Sequence, residues 1–419
     1  MERTVFGMVL AKKESPYGTD AAPTGGLNLI AVTRKGVKFG PKFNHLTRQL
    51  LDGTLSKVSG LNAMPEVDFS FDVEVRGNRT DGSTADISSG AIAHLIEIDC
   101  LLQACDLAAS YTAESQQGAR DGYVTYKPTV PSDEGVSVTF YFYSGNKLHK
   151  IVGCKGTVKV SMTAGQMGVL TFDFKGVYVD VVDSGLPAAG NYLATVAVAG
   201  GGTGYAVGNV LTLAGGTAVT AATVRVTAIG AAGVITAVKI LNVGLYSVNP
   251  SSPNSATGGG GTTASLTVTF AAQTAGVFLN TKPPVFLNSG STIDSYSPVF
   301  QKLDADLGNT VTRREDANAP TGVVGFMVTD RDAKCSVDPE SVAEATHPIW
   351  DDLANMTPRT ITGKIGTQSG NKFQITLAGV STGVSYGDRS GIRTQPIEYS
   401  VERANVSDSA GNEFQLKFY

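Results

Sequence analysis

Charge is scarce in this chain, and so are tryptophan, histidine and cysteine. Lys, Arg, Asp and Glu make up 17% of 419 residues and sum to a formal net charge of −4. That balance excludes a nucleic-acid grip built on counterion release, which needs a strongly basic face. Cys100, Cys105, Cys154 and Cys335 form no C-x-x-C pair. They predict free thiols in a reducing compartment rather than disulfides or a zinc site. His45, His94, His149 and His347 stand singly, without an H-E-x-x-H or a Cys/His cluster, so each is expected to pack or to face solvent. No metal and no cofactor is expected. No apolar run approaches a membrane span, and Met1-Glu-Arg opens a mixed segment with no secretion-type apolar region. The product is therefore expected to stay in the cytoplasm where it is made.

Glycine and period-two alternation are what the chain has in quantity. From Val136 to Val181, apolar residues occupy every second position: Val136, Val138, Phe140 and Phe142, then Val158, Val160 and Met162, then Leu170, Phe172 and Phe174. Turns at Ser144-Gly145-Asn146 and Ala164-Gly165-Gln166 separate these runs, which predicts an antiparallel meander with one buried and one wet face. The alternation slips at Lys175-Gly176, where a bulge is expected. Tyr141, Tyr143 and His149 fall on the wet face with Ser137 and Thr139, either as an interface surface or as cross-strand pairs.

Glu66–Arg76 is the clearest single strand. Val67, Phe69, Phe71, Val73 and Val75 face one way; Glu66, Asp68, Asp72 and Glu74 face the other, with same-face neighbours about 7 Å apart. This acidic row has three readings. It can be the solvated side of an amphipathic strand, the commoner case. It can line a channel whose like charge repels a phosphate backbone. It can supply a glycosidase carboxylate pair, which four groups in file on one strand do not provide.

Elsewhere the chain divides by composition. Residues 1–28 form a Gly/Pro/Thr-rich arm with little to bury, Leu29–Val32 and Gly36–Phe39 are short strands, and residues 42–64 read as a long loop. Ser89 caps a helix to about Ala108, with Ala91, Leu95, Ile98, Leu102 and Cys105 on one stripe. Between Gly190 and Ala275 the only charges are Arg225 and Lys239, and strands are expected at Val210–Leu213, Thr223–Ile229, Gly233–Leu241 and Ser265–Phe270. Mixed composition returns from Phe278, with strands at Val299–Leu303, Val323–Thr329, Lys334–Val337, Lys372–Leu377, Ile397–Val401 and Phe414–Phe418. A capping box at Ser341-Val-Ala-Glu344 and Pro348 precede a short helix through Trp350 to Asn355. Strands, one helix, then a meander repeat the order of residues 29–182, which reads as duplication. The predicted organisation is thus mainly β, with domains at 1–187, 188–276 and 277–419, the middle one a small β module inserted between two related domains.

Two catalytic or cofactor patterns fail on context. Gly379-Val-Ser-Thr-Gly383 matches a nucleophile elbow, but extended chain follows it and no His comes after His347. The glycines from Gly200 to Gly208 lack the βαβ surroundings of a dinucleotide loop.

Phe140-Tyr-Phe-Tyr-Ser-Gly-Asn-Lys-Leu-His-Lys150, Gly153-Cys-Lys-Gly-Thr-Val158 and Leu170-Thr-Phe-Asp-Phe-Lys-Gly-Val-Tyr178 resemble the tail tube (major tail) proteins of long-tailed, siphovirus-type bacteriophages. Lys13-Glu-Ser-Pro-Tyr-Gly-Thr-Asp-Ala-Ala-Pro-Thr24 resembles their N-terminal arm. The likeness covers residues 1 to about 183 well and the last part loosely. It implies tail-tube-type β-sandwich or barrel domains and a non-enzymatic virion protein of the tail. Its rings stack head to tail into a channel for genome delivery, with other tail proteins at the tube ends. DNA passes through without specific binding, the Lys42–Met64 segment reaches a neighbouring ring, and Glu66, Asp68, Asp72 and Glu74 line the lumen. With the duplication, three chains give a ring of six β domains; without it, six chains are needed. The alternatives are an adhesin that recognises a receptor or glycan through the middle module, and, behind it, a polysaccharide-degrading enzyme.

Overall fold

The computed structural model describes residues 7–34, 36–51, 54, 56–77, 97–112, 123–129, 135–276, 278, 281–319, 321–368, 370–403 and 411–419. Among them the chain is mainly β, with two short α-helices, Asp99–Ala104 and Ile349–Asn355.

The largest sheet curls into a half-barrel. Lys38–Arg48 pairs with Val58–Glu74, that strand with Val169–Asp183, and that in turn with Lys147–Thr163, all antiparallel. The other edge of Lys147–Thr163 is divided. Its first half takes Val138–Ser144, which carries Gly7–Lys13. Its end, from Lys159 to Thr163, takes Phe300–Asp306. From there the sheet continues through Lys334–Pro339, Ile397–Val401 and Phe373–Val384. Strands from the first and last parts of the sequence therefore share one hydrogen-bonded ladder.

They also share one core. Phe69, Phe71, Phe140, Phe172 and Phe174 form an aromatic cluster that is contiguous with Leu303, Ile375, Phe414 and Phe418. Each such side chain contributes about 1.5–3 kcal/mol on burial. Residues 193–268 build a separate core around Leu211, Val224, Val226, Tyr246 and Leu266. A smaller cluster of Leu10, Tyr141, Tyr143, Leu148, Val182 and Val243 joins this module to the non-core face of the meander.

Several expectations need correction. Residues 42–64 are not a loop: Lys38–Arg48 and Val58–Glu74 run together as a long hairpin, with Lys42 opposite Glu66 and Leu46 opposite Leu61. Both strands are largely exposed here, so no buried face imposes an alternation to read. Gly7–Lys13 is a strand, and Val9 and Leu10 are fully buried. Tyr141, Tyr143, Ser137 and Thr139 are buried too, covered by the chain's own arm and, at Tyr143, by the module near Tyr192, while His149 lies on the other face against Phe142. Tyr141 donates to Asp20 Oδ2 at 2.7 Å, and the hydroxyls of Ser137 and Thr139 donate to Glu14. Ser89, Ala91 and Leu95 lie outside the described residues; the helix inside them is Asp99–Ala104, and by Leu107 the chain is a strand. The sequence signal missed Asn309–Glu315 and Pro358–Ile365, both strands.

The slip near Gly176 is shared between two strands. Gly153 and Cys154 lie together opposite Gly176, so the extra residue there is on the partner strand, and a second irregularity falls at Val179. Val177 is buried, while Val179 and Val181 are exposed. Glycine is required at 176: a Cβ would sit 2.4 Å from Cys154 Sγ and 2.7 Å from Ile151 Cγ2.

Candidate functional site

Alternation places Glu66, Asp68, Asp72 and Glu74 on one face of their strand, opposite buried Val67, Phe69, Phe71 and Val73. None of the four is an isolated charge. Glu66 accepts from Arg313 Nη1 at 3.0 Å, from the Asn309–Glu315/Val323–Arg331 hairpin. Asp68 is paired with Lys42, and this contact raises the Lys42 ammonium above its ordinary range. Asp72 accepts from the Thr171 hydroxyl at 2.6 Å, and Glu74 pairs with Arg76 at 3.2 Å. The row is a compensated polar surface rather than a bare acidic strip.

That surface extends far beyond one strand. Residues directly opposite in an antiparallel ladder share a face. Asp72 therefore continues into Thr171, Lys159, Asp306, Lys334 and Ser400; Glu74 continues into Val169, Ser161, Asp304, Ser336 and Glu398. Lys159 stands 3.3 Å from Asp306 and 3.8 Å from Asp173, and so ties the first part of the chain to the last. Ser161 donates to Asp304 Oδ1 at 2.7 Å across the same seam. The face forms an open polar trough of about 760 Å³ around Lys159, Asp304, Lys334 and Glu398. Sequence reasoning singled out only Glu66–Arg76. The signal for the rest was present, since Thr171, Lys159 and Ser161 occupy the positions between the apolar residues of the meander; which strands pair across the seam is a non-local fact.

The end of the face near Glu66 is held by the N-terminal arm. Glu14 accepts from the Gly153 amide at 2.8 Å, and the Tyr17 hydroxyl accepts from the Phe326 amide at 2.7 Å. The arm thus fixes the bulge at Gly153 against the hairpin that carries Arg313. Beneath this junction Lys155, fully buried, donates to Asp106 Oδ1 at 2.6 Å. Asn309 Nδ2 donates to the carbonyls of Cys105 and Gly156.

Among the described residues chemistry is not concentrated anywhere comparable. Among the described residues no group of three His, Cys, Asp or Glu could hold a metal ion. The four cysteines are free thiols, and burial pushes Cys100 up to about 12. Ser381, the serine of the elbow-like pattern, is buried inside the strand Phe373–Val384. No helix among the described residues is long and apolar enough to cross a membrane.

No family model matches the chain. No curated protein matches it either.

Proposed function

We propose that the chain is a structural subunit that polymerises as stacked rings into a bacteriophage tail tube, with the polar face of the continuous sheet lining the channel. The observation that carries this reading is the seam at Lys159–Thr163 and Phe300–Asp306. It makes one chain present one continuous wet face from Asp72 and Glu74 to Glu398, with its apolar reverse in the core. Among the described residues Lys42, Lys159 and Lys334 of this wall stand beside carboxylates, while Lys38 and Lys175 do not, so a passing phosphate backbone meets mostly compensated charge and is held weakly.

The edge of the sheet supports assembly. Among the described residues Lys38–Arg48 pairs only with Val58–Glu74, which leaves its outer edge open. In an isolated monomer such an edge is a hazard; in a ring a sister copy satisfies it. Because each chain contributes strands from two parts of the sequence to this wall, a ring of three with pseudo-sixfold symmetry is favoured over a ring of six. The 193–268 module packs at the Tyr141/Leu148 end of the sheet and contributes no residue to the trough around Lys159 and Lys334, which leaves the trough open.

Sedimentation and negative-stain imaging of the purified protein at rising concentration test the reading. Rings and stacked tubes with a central hole are expected; a protein that stays monomeric at all concentrations and forms no annular assembly would overturn it.

A further inference from the structure

Behind the core, the curled sheet presents a second polar face. Leu107–Thr112 pairs with Tyr123–Pro128, and that strand with Phe414–Phe418. Phe414–Phe418 pairs in turn with the first half of Phe373–Val384, whose other edge takes Pro358–Ile365. Val124, Tyr126, Ile375, Leu416 and Phe418 turn into the common core, so the alternate positions point away from it. The trough has its reverse in the same core, which therefore separates the two faces. Register sets Thr125, Lys417, Gln374 and Lys364 in one row. Tyr419 and Lys372, whose backbones exchange both hydrogen bonds, form the next row, and Lys127 belongs to the row on the other side.

Lysines on this second face carry charge that no carboxylate cancels. In the trough Lys159 and Lys334 stand beside Asp306 and Asp332. Among the described residues Lys127, Lys364, Lys372 and Lys417 form no ion pair. Lys417 lies instead 3.6 Å from the centre of the Tyr123 ring and 4.9 Å from that of Tyr419, and Lys372 lies over the Tyr419 ring at 5.4 Å. Lys127 donates to Asn412 Oδ1 at 2.8 Å. A ring face or an amide orients an ammonium group without neutralising it. Carboxylates enter at the margins. Glu402 and Glu413 sit at the Ala378 end, where Arg403 follows Glu402, and Asp294, beside Thr360, is engaged by Arg359 at 3.0 Å. At the Lys372 end the neighbour is another cation, exposed Lys282, whose carbonyl accepts from Asn371.

We propose that this lysine face binds an acidic polysaccharide. Lys364, Lys372 and Lys417 surround Gln374 at about 7–10 Å from one another, a spacing that suits charges recurring along a chain rather than one compact ion. Between the lysines stand the hydroxyls and amides of Thr362, Gln374 and Thr376, which match sugar hydroxyls as donors and acceptors. Both tyrosine rings already carry a lysine on a face, whereas the base-stacking platforms of single-strand binders present theirs open. None of the exposed large apolar side chains stands on this face, and insertion into a membrane needs them. One chain carries the whole face, so the inference does not depend on the tube reading.

Equilibrium binding of the purified chain to polygalacturonate tests it, with uncharged dextran, polyglutamate and oligothymidylate for comparison. Polygalacturonate is expected to bind, less tightly as salt rises, and to exceed polyglutamate and oligothymidylate of matched charge. Lys364→Gln, Lys372→Gln and Lys417→Gln together should lower that affinity about tenfold, because each exposed charge contributes modestly. Lys159→Gln with Lys334→Gln, in the trough, should leave it unchanged. Lys364→Gln alone, which disturbs neither tyrosine contact, should give a smaller loss in the same direction; this and an unchanged melting temperature separate lost binding from lost folding. The inference is overturned by no binding to polygalacturonate, by affinity for polyglutamate or oligothymidylate that equals or exceeds it, or by binding that the trough variant removes and the triple variant spares.

Discussion

Replacing Asp106 by Asn should loosen the junction that holds the two parts of the wall together. Lys155 is fully buried and Asp106 is 5% exposed, with Nζ and Oδ1 2.6 Å apart. The Asn side chain is nearly isosteric, and it tolerates the left-handed backbone at this position, where φ is +55°. The substitution therefore removes the countercharge and little else. Breaking a buried pair from one side costs about 3–5 kcal/mol, because the other ion is stranded. At about 1.4 kcal/mol per tenfold change, local opening at this site should become about 10²- to 4 × 10³-fold more frequent. Cys105 is the adjacent residue and is buried, so its labelling by a thiol reagent under native conditions reads that opening. Lys155→Met added to Asp106→Asn removes the stranded charge and should recover most of the protection. A labelling rate in Asp106→Asn within a few-fold of the parent would refute the reasoning, as would a double variant no better protected than the single one.

Other expectations concern the wall, its bulge and its histidines. Asp72→Lys with Glu74→Lys removes the half-buried contacts to Thr171 and Arg76, hydrogen bonds to charged groups worth about 1.5–3 kcal/mol each, and tubes should still form. DNA release through the resulting basic wall should slow, and unchanged ejection kinetics would count against the lining. Gly176→Ala forces a methyl onto Cys154 and Ile151 and should destabilise by about 1–3 kcal/mol, read as a lower melting temperature. Burial holds His347 below the ordinary imidazole range, and burial together with Lys147 does the same for His149. The unfolded chain then binds these protons more readily, so stability is complete above about pH 6.5 and falls as pH drops below it. Thermal melts from pH 7.5 to 5 should show that loss, and His347→Gln should flatten it.

Legibility in the sequence followed burial. Strands with one face in the core announced themselves: Phe69 and Phe71 alternate with Asp68 and Asp72, and Thr223–Ile229, Ile397–Val401 and Phe414–Phe418 emerge with the boundaries read from the sequence. The short helix before Asn355 was legible too, although Glu344 reaches it differently from a capping box, accepting from the amide of Trp350. Segments whose burial depends on distant chain were not legible. Gly7–Lys13 carries Met8-Val-Leu-Ala11, an apolar run without alternation, and only its pairing with Val138–Ser144 makes it a strand. The exposed ribbon around Leu46 has no wet-and-dry contrast at all. The polar face was seen on one strand only, because its continuation from Ser161 to Asp304 joins residues more than a hundred positions apart.

The central claim is that the face running from Asp72 and Glu74 to Glu398 encloses a channel formed by several copies. Electron cryomicroscopy of assembled tubes, at a resolution that separates strands, tests it most directly. The account expects Val58–Glu74, Lys147–Thr163, Phe300–Asp306 and Lys334–Pro339 to form the innermost layer, with the 193–268 module outside. Tubes with those strands buried between subunits, or with that module in the bore, would contradict it.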